Sequence, residues 1–374
     1  MLVLAVMFLP LVLFANRGVP LLAKGNNTRF QAATNWDLPG SDLRSGRLVH
    51  IIDGSPPKLK ISSPPGDNVL EVALPEVLGG NTARMQVLLS DTDIYISARN
   101  AVACLGPDGS ARWSSSTPEN PRIGRDDGPW LIGGRLLVLV GSQLKAFGPS
   151  GNLDWEVLAT STTNSLACND DCGLIWLGSA DQLQLIDAGG NVLATHDVKV
   201  AGSIRGRVAS DGTLYYITGS FDSRAIQLLR SISVDGLVSE LFSIPDADRA
   251  GMFQSIWDVQ FMPDGGLLLP TSCGIYRLSS PSDKAPGRIY SGDAMHMDYL
   301  PQAGLLAVDN SMQLGSGNTL DMVLGRGDLL ILDLDGNELK RFSGYRWETR
   351  QFDEGPDGTI YQLDIHGAVR RLDR

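Results

Sequence analysis

The sequence predicts an all-β protein, a single β-propeller of seven four-stranded blades, with six or eight blades as the alternatives. Three observations carry this reading. One strand–turn–strand pattern recurs along the chain, glycine marks its turns at blade-like intervals, and long helical patterns are almost absent. At 374 residues the chain is long for an average domain but ordinary for a propeller. Its 43% hydrophobic content supports a sizeable core, while 42 Gly and 20 Pro suit many tight turns between short strands. The formal net charge of −11 repels polyphosphate, so nucleic acid is not an expected partner, and the acidity reads as a solubility feature.

The chain opens differently from the rest. Residues 1–15 (MLVLAVMFLPLVLFA) are uncharged and apolar at nearly every position. The run is shorter than the ~20 residues of a membrane span but matches the h-region of a secretory signal. It lacks a basic n-region, a distinct cleavage site and a following Cys for lipid attachment. Residues 1–23 are therefore expected to be a signal-like or anchoring segment that contacts the membrane. The protein is then exported, periplasmic or extracellular. Residues 24–46 read as an irregular N-terminal segment and 47–374 as the propeller.

Seven copies of the repeat follow. The first is DTDIYISA with AVACLGPDGSARW, between Asp91 and Trp113. Next come GGRLLVLV with LKAFGPSGNLDW, CGLIWLGS with LQLIDAGGNVLATH, and DGTLYYITG with LLRSISVDGLVSELF. The last three are DGGLLLP with GIYRLSSPSDKAPGRIY, AGLLAVD with DLLILDLDGNELKRF, and PDGTIYQLD with GAVRRLDR. The later glycine of each copy falls at Gly109, Gly151, Gly190, Gly236, Gly287, Gly336 and Gly367, at steps of 39 to 51 residues with a final step of 31. Hairpin turns need φ > 0 at a central position, which explains the glycines. Continuously apolar runs such as Leu-Leu-Val-Leu-Val suit strands buried between neighbouring blades.

At these turns the segments LKAFGPSGNLDW and LQLIDAGGNVLATH resemble the repeat of the quinoprotein (pyrroloquinoline quinone-type) propellers. The resemblance implies a tryptophan ring docked between blades at Trp113 and Trp155. His196, Phe242 and Phe342 stand near that position in later copies. PDGTIYQLD and PDGGLLLP are similar instead to gluconolactonase-like propellers. The likeness covers roughly residues 80 to 374 and implies architecture rather than activity. Quinone-dependent relatives hold their cofactor against adjacent cysteines, which do not occur here, and only Trp257-Asp258 and Trp130 offer comparable material. No cofactor is expected; calcium or another divalent ion is the open possibility.

The seventh copy stops after its third strand, leaving a bare sheet edge. One of the segments 47–53, 58–62 or 68–74 is expected to complete that blade and lock the ring. An extra degenerate blade built from Arg47 to Leu74 is the alternative. Among the four cysteines, Cys168 and Cys172 (CNDDC) are expected to close a local disulfide, while Cys104 and Cys273 read as buried thiols.

In a propeller the innermost strands line a central channel. The segments ahead of each repeat offer Arg125-Asp126-Asp127, Thr163-Asn164, Arg205 with Arg207, Trp257-Asp258, His296 with Asp298, and Arg350-Gln351. The expected ligand site at the channel mouth is Arg205, Arg207, Trp257, Asp258, His296, Asp298 and Arg350. Such a mixture suits a ligand carrying hydroxyls and negative charge. The plain alternative is that these groups pair with one another in a water-filled channel. In GDAMHMD, His296 and Asp298 share a strand face, so the carboxylate can orient the imidazole. No nucleophile elbow, Walker loop or dinucleotide fingerprint occurs. The polar 309–325 segment reads as a ligand-contacting loop or a decoration. Together these features point to a monomeric, non-enzymatic binding or scaffolding propeller of the cell envelope or secreted space, presenting one face to a protein or polymer partner. The rival is a metal-dependent lactonase- or hydrolase-like enzyme, and less so a quinoprotein dehydrogenase.

Overall fold

The computed structural model describes residues 41–63, 69–82, 85–117, 129–158, 165–169, 171–178, 182–198, 205–218, 227–245, 248, 255–280, 286–294, 296–310, 327–345, 349–364 and 369–372. They form eight successive antiparallel sheets, the first seven with four strands and the last with three. Blade 1 spans 41–73, blade 2 86–116, blade 3 130–158, blade 4 165–197, blade 5 205–242, blade 6 260–290, blade 7 296–345 and blade 8 349–372. The chain is thus a β-propeller, and the expected blade number is corrected from seven to eight.

The correction has a simple cause. The first six sequence copies are the last three strands of blades 2 to 7 and the seventh is the last two described strands of blade 8, while Arg47–Ile52, Lys58–Ser62 and Leu70–Ala73 pair with one another instead of completing the last blade. Ser41–Arg44 precedes them as the first strand of blade 1, ahead of the boundary expected at Arg47. Burial favours this arrangement. Val49, Ile51, Leu59 and Ile61 join Val87, Leu89, Ile94 and Ile96 of blade 2 in one apolar cluster.

The same logic repeats around the molecule. Middle strands such as Ala101–Leu105, Leu214–Thr218 and Ile360–Asp364 are buried along their whole length. Last strands such as Ala111–Ser116 and Val192–Asp197 are largely exposed and polar. Apolar clusters sit between neighbouring sheets, and one joins Leu43 and Leu48 of blade 1 to Tyr361 and Leu363 of blade 8. Removing both apolar faces of each inner sheet from water is the main stabilising term.

Turns between third and fourth strands share one geometry. Gly109, Gly151, Gly190, Gly236 and Gly336 all have φ between +79° and +87°. The ring of Trp113 packs on Gly151 and that of Trp155 on Gly190, so the implied docking between blades is present, and His196 packs on Gly236 in the same way. Gly287 instead begins the strand Gly287–Tyr290, and Gly367 lies outside the described residues. Among the described residues no helix is long and apolar enough to cross a membrane. The apolar 1–15 run and most of the 309–325 segment lie outside them.

All four cysteines are free thiols. The disulfide expected between Cys168 and Cys172 is not formed in this structure. Cys168 lies in the strand Ser165–Asn169, whereas Cys172 follows in the turn and directs Sγ to the carbonyls of Asn169 and Ala209, each 3.6 Å away. Cys104 is buried and Cys273 half-buried.

Candidate functional site

The first strand of each sheet is the innermost. First strands of blades 1 and 2, 4 and 5, 7 and 8, and 8 and 1 adjoin one another. An innermost strand has one side without a ladder partner, and its backbone groups still need hydrogen bonds. Polar side chains of the neighbouring blade supply them. Asp42 accepts from the Leu89 N–H at 2.7 Å, and Asn169 donates to the Val208 carbonyl at 2.8 Å. Gln260 accepts from the Tyr299 N–H at 2.8 Å while donating to the Met297 carbonyl. Asp298 accepts from the Phe352 N–H at 2.8 Å. Gln351 donates to the Leu43 carbonyl, and Asp353 accepts from the Gly46 N–H at 2.9 Å. Side chains from one innermost strand therefore stitch it to the next.

Several expected site residues meet within this seam. Arg207 of blade 5 forms an ion pair of 2.7 Å with Asp258, just ahead of blade 6. His296 Nε2 lies 3.0 Å from Asp298 Oδ2, and the His296 ring centroid is 5.9 Å from that of Phe352. Burial pulls the Arg207 guanidinium down, but the carboxylates of Asp258 and Asp298 outweigh it and hold its pKa above the ordinary arginine value. Burial would raise the Asp298 carboxyl. His296, the Phe352 N–H and the more distant Arg207 overcome that and hold it below the usual value. Arg207, Asp258, His296 and Asp298 thus form one electrostatic group. The His296 and Asp298 side chains are each 25% exposed, so solvent reaches the pair.

The remaining expected residues divide. Trp257 donates its indole N–H to Asp293 at 3.2 Å rather than into the His296–Asp298 pair. Arg205 pairs with Ile217 through its backbone, and Arg350 lies at a register shift between Thr349 and Gln351. Both side chains lie outside the described residues, as do Arg125-Asp126-Asp127 and Thr163-Asn164. Sequence reasoning read Asp298 as a ligand group and overlooked Gln260. The signal was a polar residue within each short run ahead of an apolar repeat. Among the described residues no group of three or more His, Cys, Asp or Glu is arranged to hold a metal ion.

Eight successive antiparallel sheets define the class as β-propeller. Among solved structures, the chain is similar to a dihydro-heme d1 dehydrogenase, NirN, in complex with DHE. The TM-score is 0.50 at 16% identity, covering 74% of this chain and 59% of that one. The match therefore spans less than two thirds of that protein's length, and at this identity the likeness is one of fold. The WD40 domain of Neurospora crassa Pan2 also matches, with TM-score 0.47 and 12% identity over 72% of this chain and 84% of that one. No protein-family model and no curated protein sequence matches the chain.

Proposed function

We propose that this propeller is a non-enzymatic binding or scaffolding protein of exported space, presenting the channel-mouth face to a protein or polymer partner. The observation that carries the reading is the commitment of Asp298. Its carboxylate already accepts the Phe352 N–H and faces the His296 imidazole, holding two blades together. A carboxylate engaged this way serves geometry more than proton transfer or metal ligation. Arg207, 47% exposed beside Asp258, offers the seam's cation to a carboxylate-bearing partner.

A second reading rests on the same dyad. An imidazole oriented by a carboxylate and open to solvent is also a general-base arrangement. Polygalacturonate, a polymer with both hydroxyls and carboxylates, serves as the probe that tests the first reading. The wild type binds it, Arg207→Ala and His296→Ala weaken binding at least about tenfold, a ~1.4 kcal/mol effect, and the fold is unchanged. Equal binding by all three proteins sinks the channel-mouth reading. Calcium-dependent hydrolysis of a simple lactone that is lost in His296→Ala moves the protein to the enzyme class.

A further inference from the structure

Large apolar side chains stand in water along one sector of the outer strands. The fourth strands of blades 3, 4 and 5 are Leu153–Leu158, Val192–Asp197 and Val238–Phe242. Two positions after the turn glycines Gly151, Gly190 and Gly236 come Leu153, Val192 and Val238, all exposed. Leu193 and Leu237 beside them are exposed as well. The same position holds Ala111 in blade 2 and Glu338 in blade 7.

Packing joins these positions into one stripe. The Trp155 ring, two residues along from Leu153, lies against Gly190, two residues ahead of Val192. The His196 ring lies in the same way against Gly236, two residues ahead of Val238. Each apolar turn therefore adjoins the outer strand of the blade before it. A continuous exposed apolar patch of this kind marks an interaction surface more often than scattered single residues do.

Charge narrows the partner. The three strands contain no Lys or Arg, and Asp154, Glu156, Asp197 and Glu240 are exposed on them. Bases of the same blades answer three of these acids, but from deeper positions. The Lys145 side chain is 9% exposed against 47% for its partner Glu156, and Arg230 is 27% exposed against 61% for Glu240. A molecule arriving from outside meets carboxylates first. The outer strands of blades 2, 6 and 7 differ, carrying Arg112, Arg288, Lys340 and Arg341. Cations of that kind commonly guard a sheet edge against pairing, and blades 3 to 5 lack them.

We propose that the outer strands of blades 3 to 5 dock a segment of a partner protein that carries both apolar and basic residues. Its apolar side chains cover Leu193 and Leu237, and its Lys or Arg residues meet Glu156, Asp197 and Glu240. The carboxylates argue against an anionic lipid surface. A second copy would have to offer the basic outer strand of blade 7. There Arg341 is already held by Glu338 and Asp328, Lys340 lies over the Phe342 ring, and such a head-to-tail contact does not close on itself. The proposal is independent of the channel-mouth reading, because these strands are the outermost and those of Arg207 and His296 the innermost.

A synthetic peptide of alternating lysine and leucine serves as the probe, with a glutamate–leucine peptide as its counterpart. On the full chain the lysine peptide slows amide exchange in 153–158, 192–197 and 238–242, and the glutamate peptide does not. Salt weakens the binding. Leu193→Ser with Leu237→Ser weakens it at least about tenfold at an unchanged Tm, since exposed side chains add little to the fold. Asp197→Lys weakens it too, whereas Leu339→Ser in blade 7 binds as the wild type does. The proposal is overturned by the absence of slowed exchange, by a footprint confined to 205–208 and 296–300, or by equal binding of the two peptides. Unchanged binding by the double variant overturns it as well. Self-association, or binding to phosphatidylcholine vesicles, that disappears in the double variant would assign the stripe to a second copy or to a lipid surface instead.

Discussion

The ring of Trp155 lies so close to Gly190 that a Cβ on the glycine would stand 2.6 Å from it. Gly190 has φ +87°, a conformation that L side chains rarely adopt, and the Trp155 indole donates to the Ala188 carbonyl at 3.1 Å. Turn geometry and interblade packing therefore depend on one hydrogen atom. Gly190→Ala is expected to destabilise by about 2–4 kcal/mol, adding left-handed strain to steric overlap. Gly134→Ala, at φ +70° with open space around it, meets the strain alone and costs about 1 kcal/mol. Denaturant midpoints of the two variants measure the difference. In a double-mutant cycle, Trp155→Ala removes much of the extra cost of Gly190→Ala.

Asp298 makes stability depend on acid in a stated direction. Its folded-state pKa is lowered from 3.8, because His296 and the Phe352 N–H favour the anion despite burial. The unfolded chain therefore takes up this proton first as pH falls. The contribution is fully present above the ordinary aspartate value and is lost as pH drops through the lower folded value. Asp353 works the other way. Burial raises its carboxyl, so its cost at neutral pH disappears as it protonates. Asp298→Asn should be about 1–2 kcal/mol less stable than wild type at pH 7, with the gap closing in strong acid. Melts of both proteins across pH 2 to 7, on the order of one per pH unit, check this; parallel curves would deny Asp298 the role.

Much of the architecture was legible because its strongest constraints are local. Gly109, Gly151, Gly190, Gly236 and Gly336 mark turns that only glycine fills comfortably, and the runs between them are apolar enough to be buried strands. Arg207, Asp258, His296 and Asp298 were legible as polar groups ahead of repeats. What escaped was non-local. Ser41–Arg44 (SDLR) is too short and polar to signal an innermost strand, and its burial comes from Leu43 meeting blade 8. The bond from the Phe352 N–H to Asp298 joins residues far apart in sequence. No periodicity encodes that pairing, so a structural carboxylate and a functional one looked alike.

Thiol chemistry separates the cysteines. Burial, reinforced by the Asp93 carboxylate, pushes the Cys104 thiol up to about 11, and its side chain is 3% exposed. Native protein treated with iodoacetamide near pH 8 should keep Cys104 unmodified while the half-buried Cys172 and Cys273 react. Peptide mass spectrometry reads both outcomes. A Cys168–Cys172 link found in unreduced protein and removed by a thiol reductant would contradict the free thiols.

The junction of the last blade with the first offers the most local test. Gln351 donates to the Leu43 carbonyl, Asp353 accepts the Gly46 N–H at 2.9 Å, and the fully buried Leu43 packs with Tyr361 and Leu363. Gln351→Leu keeps similar bulk but leaves that carbonyl without its side-chain donor, which costs about 1–2 kcal/mol. Leu43→Ala opens a cavity in the same place and costs about 2–4 kcal/mol. If these contacts act as a seam, both variants speed amide exchange in 41–46 and 360–364. The Asn169–Val208 seam between blades 4 and 5 keeps its wild-type exchange. Equal acceleration in every blade would mean that the molecule opens only as a whole. The junction would then be one contact among many rather than the place where opening begins.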